Sequence, residues 1–256
     1  MVSDEAGKFC LYREGDKMKI QVLYDNTIAE SGFLPGWGFS CLIDGRILFD
    51  TGEHSEILFH NMEMMGINLE QIERVVISHD HYDHRDGLWH LLKRRKGLPV
   101  YICEGFSEIT KTKIKAHGGK LHILNDNLKL GQEKNIFLFG QFEFEYKGVK
   151  MVEQCLGLTS ENGVTVLAGC SHPGIVKMVR RVHRLLGNLP LYMAAGGFHL
   201  KNESEKNIEE IVKELQALGI QKVAPTHCTG TMAQDIFKHY FQENCLALGA
   251  GKEFII

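Results

Sequence analysis

The stretch that most constrains this chain is a run of potential metal ligands that directly follows a short apolar segment. Residues 75–77 are β-branched and apolar, which predicts a buried strand. The pattern His-x-His-x-Asp-His follows, with His79, His81, Asp83 and His84 as potential ligands. Side chains two residues apart project to the same side of an extended backbone, so His79 and His81 can share one metal ion. Asp83 and His84, beyond the turn, can face a second ion. Imidazole and carboxylate ligands suit zinc, with manganese and iron as alternatives.

The composition of the 256 residues predicts one globular domain that spans residues 1–256. Its formal net charge of −3 gives no general attraction to nucleic acid or to an anionic membrane. No apolar run approaches the length of a membrane span, and the polar N-terminus lacks the apolar core of a signal peptide. Seven cysteines without a Cys-x-x-Cys pair do not form a disulfide framework. These observations predict a cytoplasmic protein without a nucleic-acid or membrane partner, and they leave its oligomeric state open.

Three more histidines each follow a predicted strand in the second half of the chain, and each lies close to glycine. They are His172, His199 and His227. Ligands at strand ends are held by a rigid sheet, which favours a preorganised site. Between the first block and these strands, short apolar runs from residue 121 to residue 152 are separated by turns, which predicts an antiparallel meander.

Together these motifs resemble the metallo-β-lactamase superfamily. Asp50 in Phe-Asp-Thr-Gly, the His-x-His-x-Asp-His block, the glycine-rich turn at His172 and the late His227 occur in that family's order along essentially the whole chain. The resemblance implies an α+β fold, the four-layer αβ/βα sandwich. The segments 78–84, 169–174, 196–200 and 225–230 are similar to one subgroup of the superfamily. That subgroup contains the methanopterin-pathway enzyme that joins a dihydropterin to a ribofuranosyl-aminobenzene phosphate, together with uncharacterised bacterial relatives.

The resemblance also implies a centre of two divalent metal ions, with zinc expected first and manganese or iron as alternatives. One ion would be held by His79, His81 and His172, and the other by Asp83, His84 and His227. Asp50 would orient a ligand histidine from the outer shell, as carboxylates behind metal sites usually do. Asp83, Asp50 and His199 are the residues expected to take part in catalysis.

One departure from the superfamily pattern bears on the second ion. Most members carry an aspartate that bridges the two metals in a strand-end Gly-Asp, and the corresponding place here reads Ala195-Gly196-Gly197-Phe198-His199. Without that carboxylate the metal pair receives less negative charge. His199 would either compensate as a ligand or face the substrate as a proton donor, and we favour the substrate-facing role. Cys170 and Cys228 lie beside proposed ligands and are predicted to be small buried residues rather than ligands.

These features predict a metal-dependent hydrolase or transferase that acts on a small molecule through a metal-activated water. Basic residues on the helix after His172 favour a phosphorylated substrate, although a solvated helix face explains them as well. Trp37 and Phe39 either line the substrate mouth or pack in the core. A nuclease or phosphodiesterase of the same superfamily is one alternative, against which the acidic balance argues. A non-catalytic metal-binding sensor is another, which the missing bridging aspartate keeps open.

Overall fold

A computed structural model describes residues 17–130 and 136–256. The N-terminal residues from which a signal peptide was excluded lie outside the described residues. Within these two ranges, no helix is both long and apolar enough to cross a bilayer.

The strands of the described residues are, in chain order, β1 (Lys19–Tyr24), β2 (Ser40–Ile43), β3 (Ile47–Phe49), β4 (Arg74–Val76), β5 (Pro99–Cys103), β6 (Lys120–Leu124), β7 (Leu128–Lys129), β8 (Ile136–Tyr146), β9 (Val149–Ser160), β10 (Gly163–Ala168), β11 (Leu191–Gly197), β12 (Lys222–Thr226) and β13 (Glu253–Ile255). The α-helices are α1 (Ser55–Met64), α2 (Tyr82–Arg85), α3 (Leu88–Arg94), α4 (Glu108–Ala116), α5 (Ile175–Leu185), α6 (Glu205–Ala217) and α7 (Thr231–Phe241).

The strands form two sheets. The first has the order β13-β1-β2-β3-β4-β5-β6, and the second has the order β12-β11-β10-β9-β8-β7. Strands β3 to β6 run parallel to one another, as do β10 to β12. Parallel neighbours need a crossover connection, and helices supply it in both sheets. The carboxyl ends of each parallel group therefore lie at one edge of its sheet.

Three apolar clusters arrange these elements in four layers. One cluster packs α5, α6 and α7 on the second sheet, with Val212 at its centre. Another packs α1, α3 and α4 on the first sheet and includes Leu48 and Leu91. The third joins the two sheets to each other, through residues such as Phe49 and Leu156. Leu48 and Phe49 are neighbours on β3 and therefore face opposite layers. The order helices, sheet, sheet, helices confirms the predicted α+β fold, a four-layer αβ/βα sandwich.

The predicted antiparallel meander is correct only in part. Strands β8 and β9 form a long antiparallel hairpin, but β6 lies parallel to β5 in the first sheet. Strand β8 joins two of the short apolar runs without a turn between them, and its register is irregular between Phe139 and Phe142, where Gln141 has a φ of 56°. Strand β9 continues past residue 152, where the predicted meander ends. The prediction stopped there because the next two residues, Glu153 and Gln154, are polar, although the sheet buries both. Apolar patterning does not reveal polar residues that a sheet buries.

Hydrogen bonds connect the two sheets where the chain leaves β4. The backbone N–H of Gln154 donates to the carbonyl oxygen of Ser78 at 2.8 Å, and the Gln154 side chain donates to the carbonyl oxygen of Ile77 at 2.6 Å. His79 pairs with Glu153 as an isolated antiparallel bridge. The start of the histidine-rich loop is therefore fixed to β9 of the other sheet.

Candidate metal centre

The structure brings all the residues predicted for the site together at the carboxyl edges of the parallel strands. Asp50 follows β3, the loop at residues 79–84 follows β4, and the three late histidines follow β10, β11 and β12. The residues gathered there are Asp50, His79, His81, Asp83, His84, His172, His199 and His227. Their backbones are held by strands that pack in the cores, which gives the site a rigid frame.

Of the five groups of three side chains among the described residues that could hold a metal ion, two consist only of the predicted ligands. The first set is His79, His81 and His172, and the second set is Asp83, His84 and His227. Within each set the potential ligand atoms all lie within 4.8 Å of one another. Nε2 of His79 is 3.0 Å from Nδ1 of His81, and Nε2 of His84 is 3.2 Å from Nε2 of His227. The two groupings are the same as those that the family resemblance implies.

Asp50 orients His84. Nδ1 of His84 donates to Oδ2 of Asp50 at 2.7 Å, and both side chains are fully buried. The backbone N–H and the hydroxyl of Ser78 also donate to this carboxylate, at 2.6 and 2.7 Å. Glycine is required nearby at Gly169, because a Cβ there would lie 2.1 Å from Oγ of Ser78. With Nδ1 of His84 occupied, its Nε2 faces the second set.

Glu153 positions His172 of the first set through hydrogen bonds, and this role was not predicted from the sequence. Its Oε1 accepts the backbone N–H groups of Cys170 and Ser171 at 2.9 and 2.7 Å. Its Oε2 accepts the backbone N–H of His172 at 2.8 Å and lies 3.1 Å from Nδ1 of the same residue. The carboxylate is fully buried. The sequence signal was weak, because a single glutamate at the start of an apolar run resembles an exposed strand residue.

Asn26 holds His227 in the same way and was also missed. Its Oδ1 lies 3.0 Å from Nδ1 of His227, and its amide nitrogen donates to the His227 carbonyl oxygen at 3.0 Å. Asn26 comes shortly after β1, so a search for polar residues of every type at strand ends would have found it. His79 completes the pattern, since its Nδ1 lies 2.9 Å from Oγ of Ser78. Four of the five ligand rings therefore have Nδ1 occupied and Nε2 available.

The protonation of the site suits a divalent cation. Burial, reinforced by neighbouring histidines, lowers the pKa of His79 well below its ordinary value and lowers that of His81 to about 4. Burial also acts to lower the pKa of His84, but Asp50 and Asp83 outweigh it and raise the pKa to about 9. Burial acts to raise the pKa of Asp83, but the adjacent histidines keep it well below its usual range. Carboxylate and neutral imidazole are the donors that divalent metals bind, so Asp83, His79 and His81 already have the form that fits a metal centre, whereas His84 would have to release a proton to an ion.

Two buried thiols adjoin the ligand sets. Cys170 and Cys228 are buried as predicted, and Sγ of Cys170 is 3.2 Å from Nε2 of His84. The Cys228 thiol is directed at the carbonyl oxygen of Cys170, at 3.6 Å. Burial raises the pKa of Cys170 well above its ordinary value. Burial acts in the same direction on Cys228, but contact with Cys170 and the nearby histidines outweighs it and lowers the pKa of that thiol.

His199 lies at the exposed side of the first set. Its ring centroid is 4.3 Å from that of His172, and a hydrogen bond with Cys228 is the main cause that raises its pKa. The φ of His199 is 53°, and Asp50 and His227 also have positive φ, at 57° and 51°. Such backbone conformations cost on the order of 1–3 kcal/mol each and persist where the surrounding structure enforces them, often at functional sites.

A cavity of about 220 Å³ opens beside the second set, with His227 in its wall. Trp37 lines it, with its ring centroid 5.0 Å from that of His227. Nζ of Lys201 lies 4.9 Å from the Trp37 centroid, and α7 begins at the cavity with Thr231. Of the two aromatic residues left open by the sequence, Trp37 therefore lines a cavity, whereas Phe39 is fully buried between the sheets.

Comparisons with known proteins agree with this geometry. Residues 45–228 match the family described as the β-lactamase superfamily domain. The chain is 30% identical to the 7,8-dihydropterin-6-methyl-4-(β-D-ribofuranosyl)-aminobenzene-5′-phosphate synthase of Methanocaldococcus jannaschii, over 93% of this chain and 96% of the relative. A crystal structure described as a metal-dependent hydrolase of the β-lactamase superfamily is 31% identical, with a TM-score of 0.78 over 93% of this chain and 98% of that one. The short form of human tRNase Z shares the fold alone, at 13% identity and a TM-score of 0.57 over 92% of this chain and 98% of that one. The family match and the relatives that align along most of the chain show that it belongs to the metallo-β-lactamase superfamily.

Proposed function

We propose that this chain is an enzyme with one divalent ion in each ligand set, acting as a hydrolase or transferase on a small phosphorylated molecule. The observation that carries the proposal is that the two sets adjoin and that a buried polar partner orients a ligand histidine in each. Partners of this kind fix ring orientation and raise the basicity of the ligating nitrogen. The pairs are Asp50 with His84, Glu153 with His172, and Asn26 with His227.

Two ions held in this way would polarise the substrate and supply an activated water at neutral pH. The residues of the chain supply orientation and proton control. Asp50 keeps a proton on Nδ1 of His84, which leaves Nε2 for the metal. His199 is exposed beside the first set, and its raised pKa favours a protonated ring that can donate to the substrate. Zinc is the first metal that we propose, with manganese and iron as alternatives.

The cavity beside the second set supports a small phosphorylated substrate. Its volume of about 220 Å³ accommodates one end of a small molecule rather than a folded polymer. Lys201 and the N-terminus of α7 supply positive charge for a phosphate, and Trp37 supplies an aromatic face for a ring. The synthase of Methanocaldococcus jannaschii is named for a product that contains a dihydropterin and a 5′-phosphate, which supports the same substrate class here.

The test begins with metal content, measured by elemental analysis on protein purified without chelator or affinity nickel. We expect two equivalents per chain and a loss of the second in Asp83→Ala. The loaded protein is then assayed with phosphoesters, lactones and thioesters, and for synthesis of the pterin phosphate named above. Metal-dependent turnover of a phosphorylated compound is the expected result. Tight metal binding without any turnover would favour the sensor, and cleavage of plasmid or RNA in low salt would favour the nuclease.

A further inference from the structure

Cys170 lies at the junction of the two ligand sets. It follows the glycine at the end of β10, and its side chain is 3% exposed. Its Sγ belongs to three different groups of potential ligands, and the atoms in each group lie within 4.8 Å of one another. The groups are Cys170 with His79 and His84, Cys170 with His172 and His199, and Cys170 with His227 and Cys228. Members of both sets therefore surround this one sulfur atom.

The distances around Cys170 are close to those expected between ligands of one ion. Nε2 of His84 lies 3.2 Å from Sγ of Cys170 and 3.2 Å from Nε2 of His227. Ligand atoms bound at about 2.0–2.3 Å to a tetrahedral zinc ion lie roughly 3.3–3.8 Å from one another. Because Asp50 already occupies Nδ1 of His84, Nε2 and the sulfur atom can converge on the same ion.

The backbone of Cys170 is tied to the first set as well. Its N–H donates to Glu153 Oε1 at 2.9 Å, and the other oxygen of that carboxylate holds His172. One buried carboxylate therefore positions both the thiol and a histidine ligand of the first set. Sγ of Cys170 faces His84 of the second set, so the residue spans both sets.

The charge of the centre favours an anion at this position. Asp83 is the one carboxylate in the two sets, and their remaining members are histidines. The strand end at residues 195–199, where the superfamily pattern places a bridging carboxylate, has no room for one. A Cβ at Gly196 would lie 1.9 Å from the carbonyl oxygen of Ala168, and a Cβ at Gly197 would lie 2.3 Å from the carbonyl oxygen of Gly169. A thiol that coordinates a divalent cation loses its proton outright.

We propose that the Cys170 thiolate is a ligand shared by both metal ions, in place of a bridging carboxylate. This inference rests on the two-ion centre of the proposed function, and it departs from the prediction that Cys170 is a small buried residue rather than a ligand. A thiolate is a soft ligand, so the centre should prefer zinc or iron to magnesium and manganese. Among the potential ligand groups of the described residues, Cys228 is grouped with His227 of the second set and with no histidine of the first set, so it is the natural comparison.

The test is cobalt(II) substitution of the metal-free full chain, with cobalt equivalents and the near-ultraviolet sulfur-to-cobalt charge-transfer band followed together. In the wild type we expect the band to grow with both the first and the second equivalent. Cys170→Ser should abolish the band and weaken one equivalent by about 100-fold or more, since even outer-shell partners contribute 10- to 100-fold. Cys170→Asp should bind two equivalents without the band, which separates loss of a ligand from misfolding. Cys245→Ser, at a half-buried thiol outside all the potential ligand groups of the described residues, should match the wild type.

Several outcomes would overturn the inference while leaving the two-ion centre intact. These are two cobalt ions bound without a band, a band that survives in Cys170→Ser, or a band that grows with one equivalent only. A band that is lost in Cys228→Ser and kept in Cys170→Ser would assign the ligand to Cys228 instead. Failure of the wild type to bind any cobalt would overturn the proposed function and this inference together.

Discussion

Asp50 Oδ2 and His84 Nδ1 lie 2.7 Å apart, and neither side chain has any exposed surface. The pair joins the end of β3 to the loop after β4, behind the second ligand set. Rotating the imidazole away from Asp50 would leave a buried charge without its partner and would cost free energy. The pair therefore holds this ring in one orientation. The orientation of this candidate ligand is therefore set by the packing of the first sheet.

Replacing Asp50 with asparagine should weaken the second metal equivalent by about 10- to 100-fold and leave the first nearly unchanged. The reason is that asparagine keeps the shape of the side chain but removes the charge that holds the Nδ1 proton of His84. Competition with a metal-sensitive dye measures both equivalents. Asp126→Asn, at an exposed carboxylate, is the matched control. Equal affinities in the Asp50 variant and the wild type would contradict this prediction.

Metal binding should release a proton from His84 at neutral pH. In the metal-free protein Asp50 and Asp83 outweigh burial and raise its pKa to about 9, so Nε2 carries a proton that the ion must displace. We expect about one proton per chain from this ring at neutral pH, and none well above pH 9. Calorimetry in buffers with different ionisation enthalpies counts the protons. Binding at neutral pH without proton release would show that His84 is already neutral.

The raised pKa of His84 should make the stability of the metal-free protein depend on pH. Because the pKa of His84 is higher in the folded state than its ordinary value of 6.5, its contribution to the free energy of unfolding is complete below about pH 6.5. That contribution is lost as the pH rises through about 9. Denaturant unfolding of the metal-free wild type should therefore show a stability decrease across this interval, and His84→Gln should show a smaller one.

Replacing Glu153 with glutamine should destabilise the metal-free protein by about 2 kcal/mol or more. The buried carboxylate accepts three backbone N–H groups, and hydrogen bonds to a charged acceptor are worth roughly 1.5–3 kcal/mol each. The amide oxygen of glutamine can still accept some of these hydrogen bonds, so the expected loss of stability is smaller than the sum of all three. Urea unfolding measures the change. The control is Glu145→Gln, at an exposed position on β8, which should unfold like the wild type. Unfolding of Glu153→Gln at the wild-type urea concentration would contradict the prediction.

Replacing His199 with glutamine should lower turnover of a phosphorylated substrate by about 100-fold or more while both metal ions stay bound. A proton donor that faces the substrate contributes to the rate and not to metal affinity. The limb of the pH–rate profile that reports the donor should also disappear. His239→Gln, at an exposed histidine of α7, is the control. Loss of one metal equivalent in the His199 variant would identify this residue as a ligand instead.

Removing the metal with a chelator should lower the melting temperature and change the fluorescence of Trp37. A ligand that binds only the folded state stabilises it by about 2.7 kcal/mol when its free concentration is 100 times Kd. The Trp37 ring lies 5.0 Å from His227, so its emission should respond when that histidine releases an ion. Trp37→Phe should keep the thermal shift and lose the fluorescence change. A fluorescence change that persists in this variant would have to come from Trp89.

Local sequence was sufficient for the parts of the site that depend on neighbours in the chain. The alternation of His79 and His81 after an apolar strand determines that their side chains lie together, because an extended backbone repeats every two residues. The later histidines were predicted to join the site because a rigid sheet holds the ends of its strands, and parallel strands brought those ends to common edges. The ligand groupings and the four-layer architecture followed from the family resemblance rather than from spacing alone.

Tertiary structure alone decided which residues stand behind the ligands and which thiol lies between them. Asn26 meets His227 across 201 positions of sequence, and Glu153 reaches His172 from β9, the strand that pairs with β10. These contacts depend on the register of β9 against β10 and on how closely the two sheets approach. Periodicity describes only which face of its own strand a residue occupies, and it contains no information on the distance to another layer. The sequence by itself therefore determined which candidate metal-binding residues this protein carries. Strand pairing within each sheet and the approach of the two sheets decided how each candidate ligand is held, and they placed Cys170 between the two sets.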